Sequence, residues 1–126
     1  MPASLNGLVP YLHVTDLPRS IAFYELLGLE VVGTAAGADG AVGWANLRRG
    51  DAWLMLAQGT KFDARRQAAL LYAFHADVAA LRDAVAASGL ARHVGPIAHP
   101  DHMEAGELRL HDPDGYVVLV GQPPAD

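Results

Sequence analysis

The sequence predicts an α+β fold built from two tandem βαβββ modules. The chain repeats itself, each copy opens with the same strand–cap–helix–glycine order, and each copy closes on a hairpin. Shifted by 61 positions, YLHVTDLPRSIAFYELLG (Tyr11–Gly28) falls on YAFHADVAALRDAVAASG (Tyr72–Gly89). Tyr11 then meets Tyr72, Asp16 meets Asp77 and Gly28 meets Gly89. Three anchors in register, followed by equivalent hairpins, make the unit a repeat.

In the first copy an apolar strand leads to Asp16, whose side chain suits a helix N-cap, and Gly28 suits the C-terminal stop. Between them Leu17, Ile21, Tyr24 and Leu26 or Leu27 recur every three to four residues, which predicts one buried stripe. LEVVG follows, and then AVGWANLRRGDAWLMLA, a hairpin turning at Arg49-Gly50-Asp51. Residues 58–67 (QGTKFDARRQ) are polar and serve as a linker, so module one runs over 7–57 and module two over 68–121. In the second copy Val78, Leu81, Val85 and Ala86 form a weaker stripe. ARHVG and GELRLHDPDGYVVLVG come next, with a Pro- and Gly-containing turn at Asp112-Pro113-Asp114-Gly115. The tail Gln122–Asp126 holds two prolines and is expected to fray.

Composition fits one domain over 1–126, since 126 residues with 52% apolar content can bury a core without staples. The absence of cysteine excludes disulfides, thiolate metal sites and a cysteine nucleophile. A net charge of −5 with no basic run disfavours nucleic acid as a partner. No stretch approaches the roughly 20 apolar residues of a membrane span, and the N-terminus lacks the pattern of a targeting signal. A soluble, cytoplasmic protein is expected.

Two segments carry a family likeness. LVPYLHVTDLPRSIAFYELLGLEVV and LRLHDPDGYVVLV resemble the vicinal oxygen chelate superfamily, which holds glyoxalases, extradiol dioxygenases and fosfomycin- and bleomycin-resistance proteins. The resemblance covers residues 7–121. It implies that the paired modules curl mixed sheets around a cavity with helices outside. It also implies four metal-ligand positions, one on the first and one on the last strand of each module. Those positions fall on Val9, Met55, Leu70 and Leu119, and the neighbours Leu8, Leu54, Leu71 and Val118 are equally apolar. None is a ligand for a hard or borderline cation, so no metal and no other cofactor is expected. His99, His102 and Glu104 look like a cluster, but Pro100 breaks their order and solvated loop histidines are the simpler reading.

Strand alternation then gives a candidate pocket, because residues two apart share a face. Tyr11 and His13, Trp53 and Met55, and Tyr72 and Phe74 should look inward with Glu107 and Arg109, while Leu8, Leu12 and Val14 pack under the helix. Apolar, aromatic walls with a few polar groups are the composition of a small-molecule site, and flat rings suit planar ligands. Trp53, Met55 and Phe74 are equally compatible with plain core. His13 occupies a position where the resemblance places a substrate-binding arginine, and Trp44 is open to a second subunit or to a ligand. The resemblance is nearest to the metal-free bleomycin-resistance branch, which implies sequestration of an antibiotic or aromatic metabolite by a homodimer. The alternative is a divergent glyoxalase-like lyase or isomerase with His13 as general base, or Glu107 if burial raises its pKa.

Overall fold

A computed structural model describes residues 5, 7–59 and 62–125. Thr60 and Lys61 of the expected linker and Asp126 of the expected tail lie outside it. The first module contains β1 (Tyr11–Val14), α1 (Leu17–Leu26), β2 (Glu30–Ala36), β3 (Val42–Arg49) and β4 (Ala52–Gln58). The second contains β5 (Leu71–Phe74), α2 (Val78–Ser88), β6 (His93–Ala98), β7 (Glu107–His111) and β8 (Val117–Gly121). Each module forms one four-stranded mixed sheet, in the orders β1-β4-β3-β2 and β5-β8-β7-β6. First and last strands pair in parallel, Tyr11 opposite Met55 and Tyr72 opposite Leu119. The duplicated βαβββ unit read from the sequence is thus the architecture of the molecule.

Local chemistry starts each helix in the same way. Asp16 accepts a hydrogen bond from the Arg19 amide at 3.2 Å and Asp77 from the Ala80 amide at 3.0 Å, both from non-helical backbone. A second cap comes from the far end of each module. The Gln58 side-chain oxygen accepts from the Leu17 amide at 2.9 Å, and that of Gln122 accepts from the Val78 amide at 3.0 Å. Gln58 therefore ends β4 rather than opening a linker. Gln122 is not frayed either, because its own amide also donates to the Gly106 carbonyl at 2.8 Å. Replacing Gln58 or Gln122 by alanine should cost about 1 kcal/mol each, the usual loss of a helix cap, read as a lowered urea midpoint.

The helices cover one face of each sheet and touch each other, so the two cores merge. Phe23, Leu47 and Leu56 are buried on one side of the seam, and Leu81, Leu110 and Val120 on the other. The α1 stripe is rotated from expectation: Ser20 and Phe23 are buried with Leu17 and Tyr24, while Ile21 is half-buried. Ala86 is exposed. Leu8 does not pack under α1 but is exposed, because β1 begins only after Pro10.

Polar bonds lock the modules together at the β7–β8 turn. Asp112 is fully buried; its Oδ2 accepts from the Tyr24 hydroxyl at 2.7 Å, and its Oδ1 accepts from the amides of Asp114, Gly115 and Tyr116 at 2.9 Å. Asp114 accepts from the Thr15 amide and hydroxyl. The Tyr116 hydroxyl donates to the His13 carbonyl at 2.8 Å.

Candidate functional site

The faces that the helices leave uncovered are the chemically rich ones. Both sheets stay open, and concavities lie against their strands. A groove of about 520 Å³ runs between the start of β4 and β5. Its walls include Trp53 (38% exposed), Leu70 (47%), Tyr72 (39%) and Phe74 (68%). Pro10, Leu27 and Leu29 floor it from the first module. The Tyr72 and Phe74 rings lie 5.4 Å apart and tilted, and the Arg48 guanidinium sits 4.9 Å over the Trp53 ring. That contact combines a cation with an indole face.

Tyr72 is held by a polar chain. Its hydroxyl donates to Glu107 Oε2 at 2.6 Å, and His102 Nε2 meets the same oxygen at 2.9 Å. His102 reaches it from the short 3-10 turn over Asp101–Met103. Hydrogen bonds from Tyr72 and then His102 hold the Glu107 carboxyl below the ordinary range, while the same bond raises the Tyr72 phenol. The condition for Glu107 as a base, a pKa raised by burial, is therefore not met, and at neutral pH this carboxylate is a weak proton acceptor.

The other expected residues are spread out. His13 lines a second concavity of about 540 Å³ with Gln58, Phe62 and Tyr116, and its ring lies 5.7 Å from that of Tyr11. Arg109 lines a third, of about 430 Å³, with Arg65 and His111. Tyr11, Met55 and Glu107 stand on the uncovered faces without lining any of the three. So the structure gathers Trp53, Tyr72 and Phe74 and separates His13 and Arg109 from them. Sequence reasoning missed Leu70 and Arg49 as groove residues, Arg48 as the cation over Trp53, His102 as the partner of Glu107, and Asn46. Asn46 is the register partner of Met55, and its side-chain oxygen is buried with no hydrogen-bond partner among the described residues. The alternation that placed Met55 also places Asn46, so that signal was present in the sequence.

A family model for the "Glyoxalase/Bleomycin resistance protein/Dioxygenase superfamily" matches residues 7–120. The chain belongs to this superfamily. No curated protein sequence matches it. Among solved structures, the bleomycin resistance determinant encoded on transposon Tn5 aligns with a TM-score of 0.72 at 22% identity, covering 96% of this chain and 100% of its own. The bleomycin-binding protein of Streptomyces verticillus, solved with copper(II)-bleomycin, gives 0.66 at 21% identity, covering 98% and 100%. FosX, a fosfomycin resistance protein of Listeria monocytogenes solved with manganese(II), gives 0.74 at 16% identity, covering 96% and 93%. At such identities the likeness is one of fold.

Within this glyoxalase/bleomycin-resistance fold the four positions that the resemblance assigns to metal ligands carry no oxygen or nitrogen donor. Val9 lies two residues before β1 and Leu70 directly before β5, and Met55 and Leu119 are equivalent positions in the last strands. Three hydrocarbons and one thioether do not fit a divalent cation. No group of three or more His, Asp or Glu able to hold a metal occurs among the described residues. No helix of the described residues is long and apolar enough to cross a membrane.

Proposed function

We propose that this superfamily member binds a planar, aromatic small molecule and acts by sequestration rather than by chemistry. The observation that carries the reading is the aromatic groove: Trp53, Tyr72 and Phe74 face one concave space while each keeps more than a third of its surface exposed. Large apolar side chains at that exposure gain most when a flat ligand covers them. The hydrogen bonds through Glu107 fix the Tyr72 ring before a ligand arrives, which limits the ordering cost of binding. The three hydrocarbons and one thioether at the four ligand positions support binding over metal-assisted catalysis. Two fold relatives, a bleomycin resistance determinant and a bleomycin-binding protein, point the same way.

The test is a thermal-shift panel of planar heteroaromatic antibiotics, bleomycin among them, followed by tryptophan-fluorescence titration. At least one compound should bind saturably at one per site, and Trp53→Ala or Phe74→Ala should weaken it by about tenfold or more. A panel without a binder, together with turnover of a small thioester or ketone, would sink the reading. Elemental analysis after dialysis against zinc and manganese is expected to give far less than one metal per chain. A homodimer in which a second copy completes the open faces is part of this proposal. Sedimentation at micromolar concentration should give twice the mass of the chain.

A further inference from the structure

We propose that the cleft between segment 64–70 and the β7–β8 hairpin binds a small oxyanion group, a carboxylate or phosphate, through Arg109 with His111 beside it. The cleft has a volume of about 430 Å³, and Arg65, Leu70, Arg109, His111 and Val117 line it. Arg109 stands on the uncovered face of the second sheet, and its Nε donates to His111 Nε2 at 3.4 Å. Its guanidinium has no carboxylate partner: the two ion pairs among the described residues are Arg65–Asp63 and His102–Glu107. Glu107, two residues away on the same face, spends Oε2 on Tyr72 and His102. The acids of the neighbouring turn are also engaged, Asp112 with Tyr24 and Asp114 with Thr15. Asp112 and Asp114 are thus engaged elsewhere, and no carboxylate among the described residues pairs with Arg109.

Basic side chains, in contrast, converge. His93 of β6 is the register partner of His111, and their rings are 4.8 Å apart. A β-carbon placed on Gly115 would lie 3.0 Å from Arg65 Cγ and 3.9 Å from Arg92 Cδ, so both side chains reach the same end of the hairpin. Arg65 is braced by two bonds to Asp63, at 2.9 and 3.1 Å. Arginine and histidine side chains thus gather at this cleft of a protein whose net charge is −5. An unpaired guanidinium presents a planar donor fork that matches two oxygens of a carboxylate or phosphate. The groups facing His111 agree with this. Burial first, then the neighbouring His93 and Arg109, hold its ring below the ordinary histidine range. An oxyanion on Arg109 cancels part of its charge, so binding is coupled to proton uptake and strengthens as pH falls.

The cleft adjoins the aromatic groove through Leu70, while Arg109 and His111 stand outside that groove. The full chain is titrated by calorimetry with inorganic sulfate, whose charge is constant from mildly acidic to neutral pH, at low ionic strength. One sulfate per chain is expected, with tighter binding at the lower pH. Arg109→Ala should weaken it about tenfold or more, and Arg19→Ala, on the exposed side of α1, should leave it unchanged. If the alanine variant does not fold, Arg109→Gln carries the same comparison. NMR of the His111 ring should show its titration midpoint moving upward with sulfate. Absence of saturable binding, equal affinity in wild type and the Arg109 variants, or an unmoved His111 midpoint overturns the proposal. Because no aromatic ligand is present, failure of the groove as a binding site would leave these results untouched.

Discussion

Asp112→Ala should lower the melting temperature by about 10 °C, a loss of about 3 kcal/mol. The carboxylate is fully buried and accepts four hydrogen bonds, three from the amides of its own turn and one from Tyr24 in the other module. Alanine leaves three donors without partners at once, the Tyr24 hydroxyl and the amides of Asp114 and Tyr116, while the Gly115 amide keeps its bond to the residue 112 carbonyl at 3.0 Å. Asp112→Asn is the informative control, since its amide oxygen still accepts the three amides and its NH₂ group still meets the Tyr24 oxygen. The pH dependence separates the two roles of the side chain. Burial raises the Asp112 carboxyl above its ordinary value, against the hydrogen bonds that lower it. Its contribution is then fully present below the unfolded carboxylate value and declines as pH rises through the raised folded value. The difference in stability between Asp112→Asn and wild type should therefore move in favour of the variant from about pH 4 toward neutrality. Calorimetric melts across that range measure it, and a difference that moves the other way would contradict the burial argument.

Gly106→Ala is the second large effect, at about 2 kcal/mol or more. Gly106 has φ +145, and a β-carbon there would lie 2.9 Å from Val78 Cγ2 and 3.0 Å from Ile97 Cγ2. Val78 opens α2 and Ile97 belongs to β6, so neither atom is the loose end of a flexible chain. Gly40→Ala is the comparison: its φ is +83, but nothing lies within 4 Å of the added carbon. Urea midpoints should fall much further for the first than for the second, which carries backbone strain alone. Since Gly106 directly precedes Glu107, the bond between Glu107 and His102 should loosen as well, visible in the His102 ring signals.

Much of the fold was legible because the signals were local. Asp16 and Asp77 as caps, Arg49-Gly50-Asp51 and Asp112-Pro113-Asp114-Gly115 as turns, and the alternation in β4 and β7 are properties of neighbouring residues. Gln58 and Gln122 were not legible, since a glutamine ending a strand has no local mark of the helix it will cap about 40 residues away. The α1 stripe slipped because Ile21 and the pair Ser20 and Phe23 both satisfy helical spacing, and only the opposing module decides between them. The site divides along the same line. Alternation told which face Tyr11, His13, Trp53, Tyr72 and Arg109 occupy. How the two sheets sit against each other decides which of them share a concavity. That relation rests on Tyr24, Thr15 and the buried aspartates of the β7–β8 turn, none of which looks like a module contact in the sequence.

The glutamine caps also set an order of assembly. In each module the first strand waits for the last to pair with it in parallel, and the helix start waits for the glutamine that follows. A chain emerging during synthesis can complete its first module once Gln58 is free, while the second cannot close until Gln122 has followed. During that interval α1 presents Phe23 and Tyr24 with no second core to cover them. Asp112 and Asp114 arrive late and turn a half-finished surface into a closed seam.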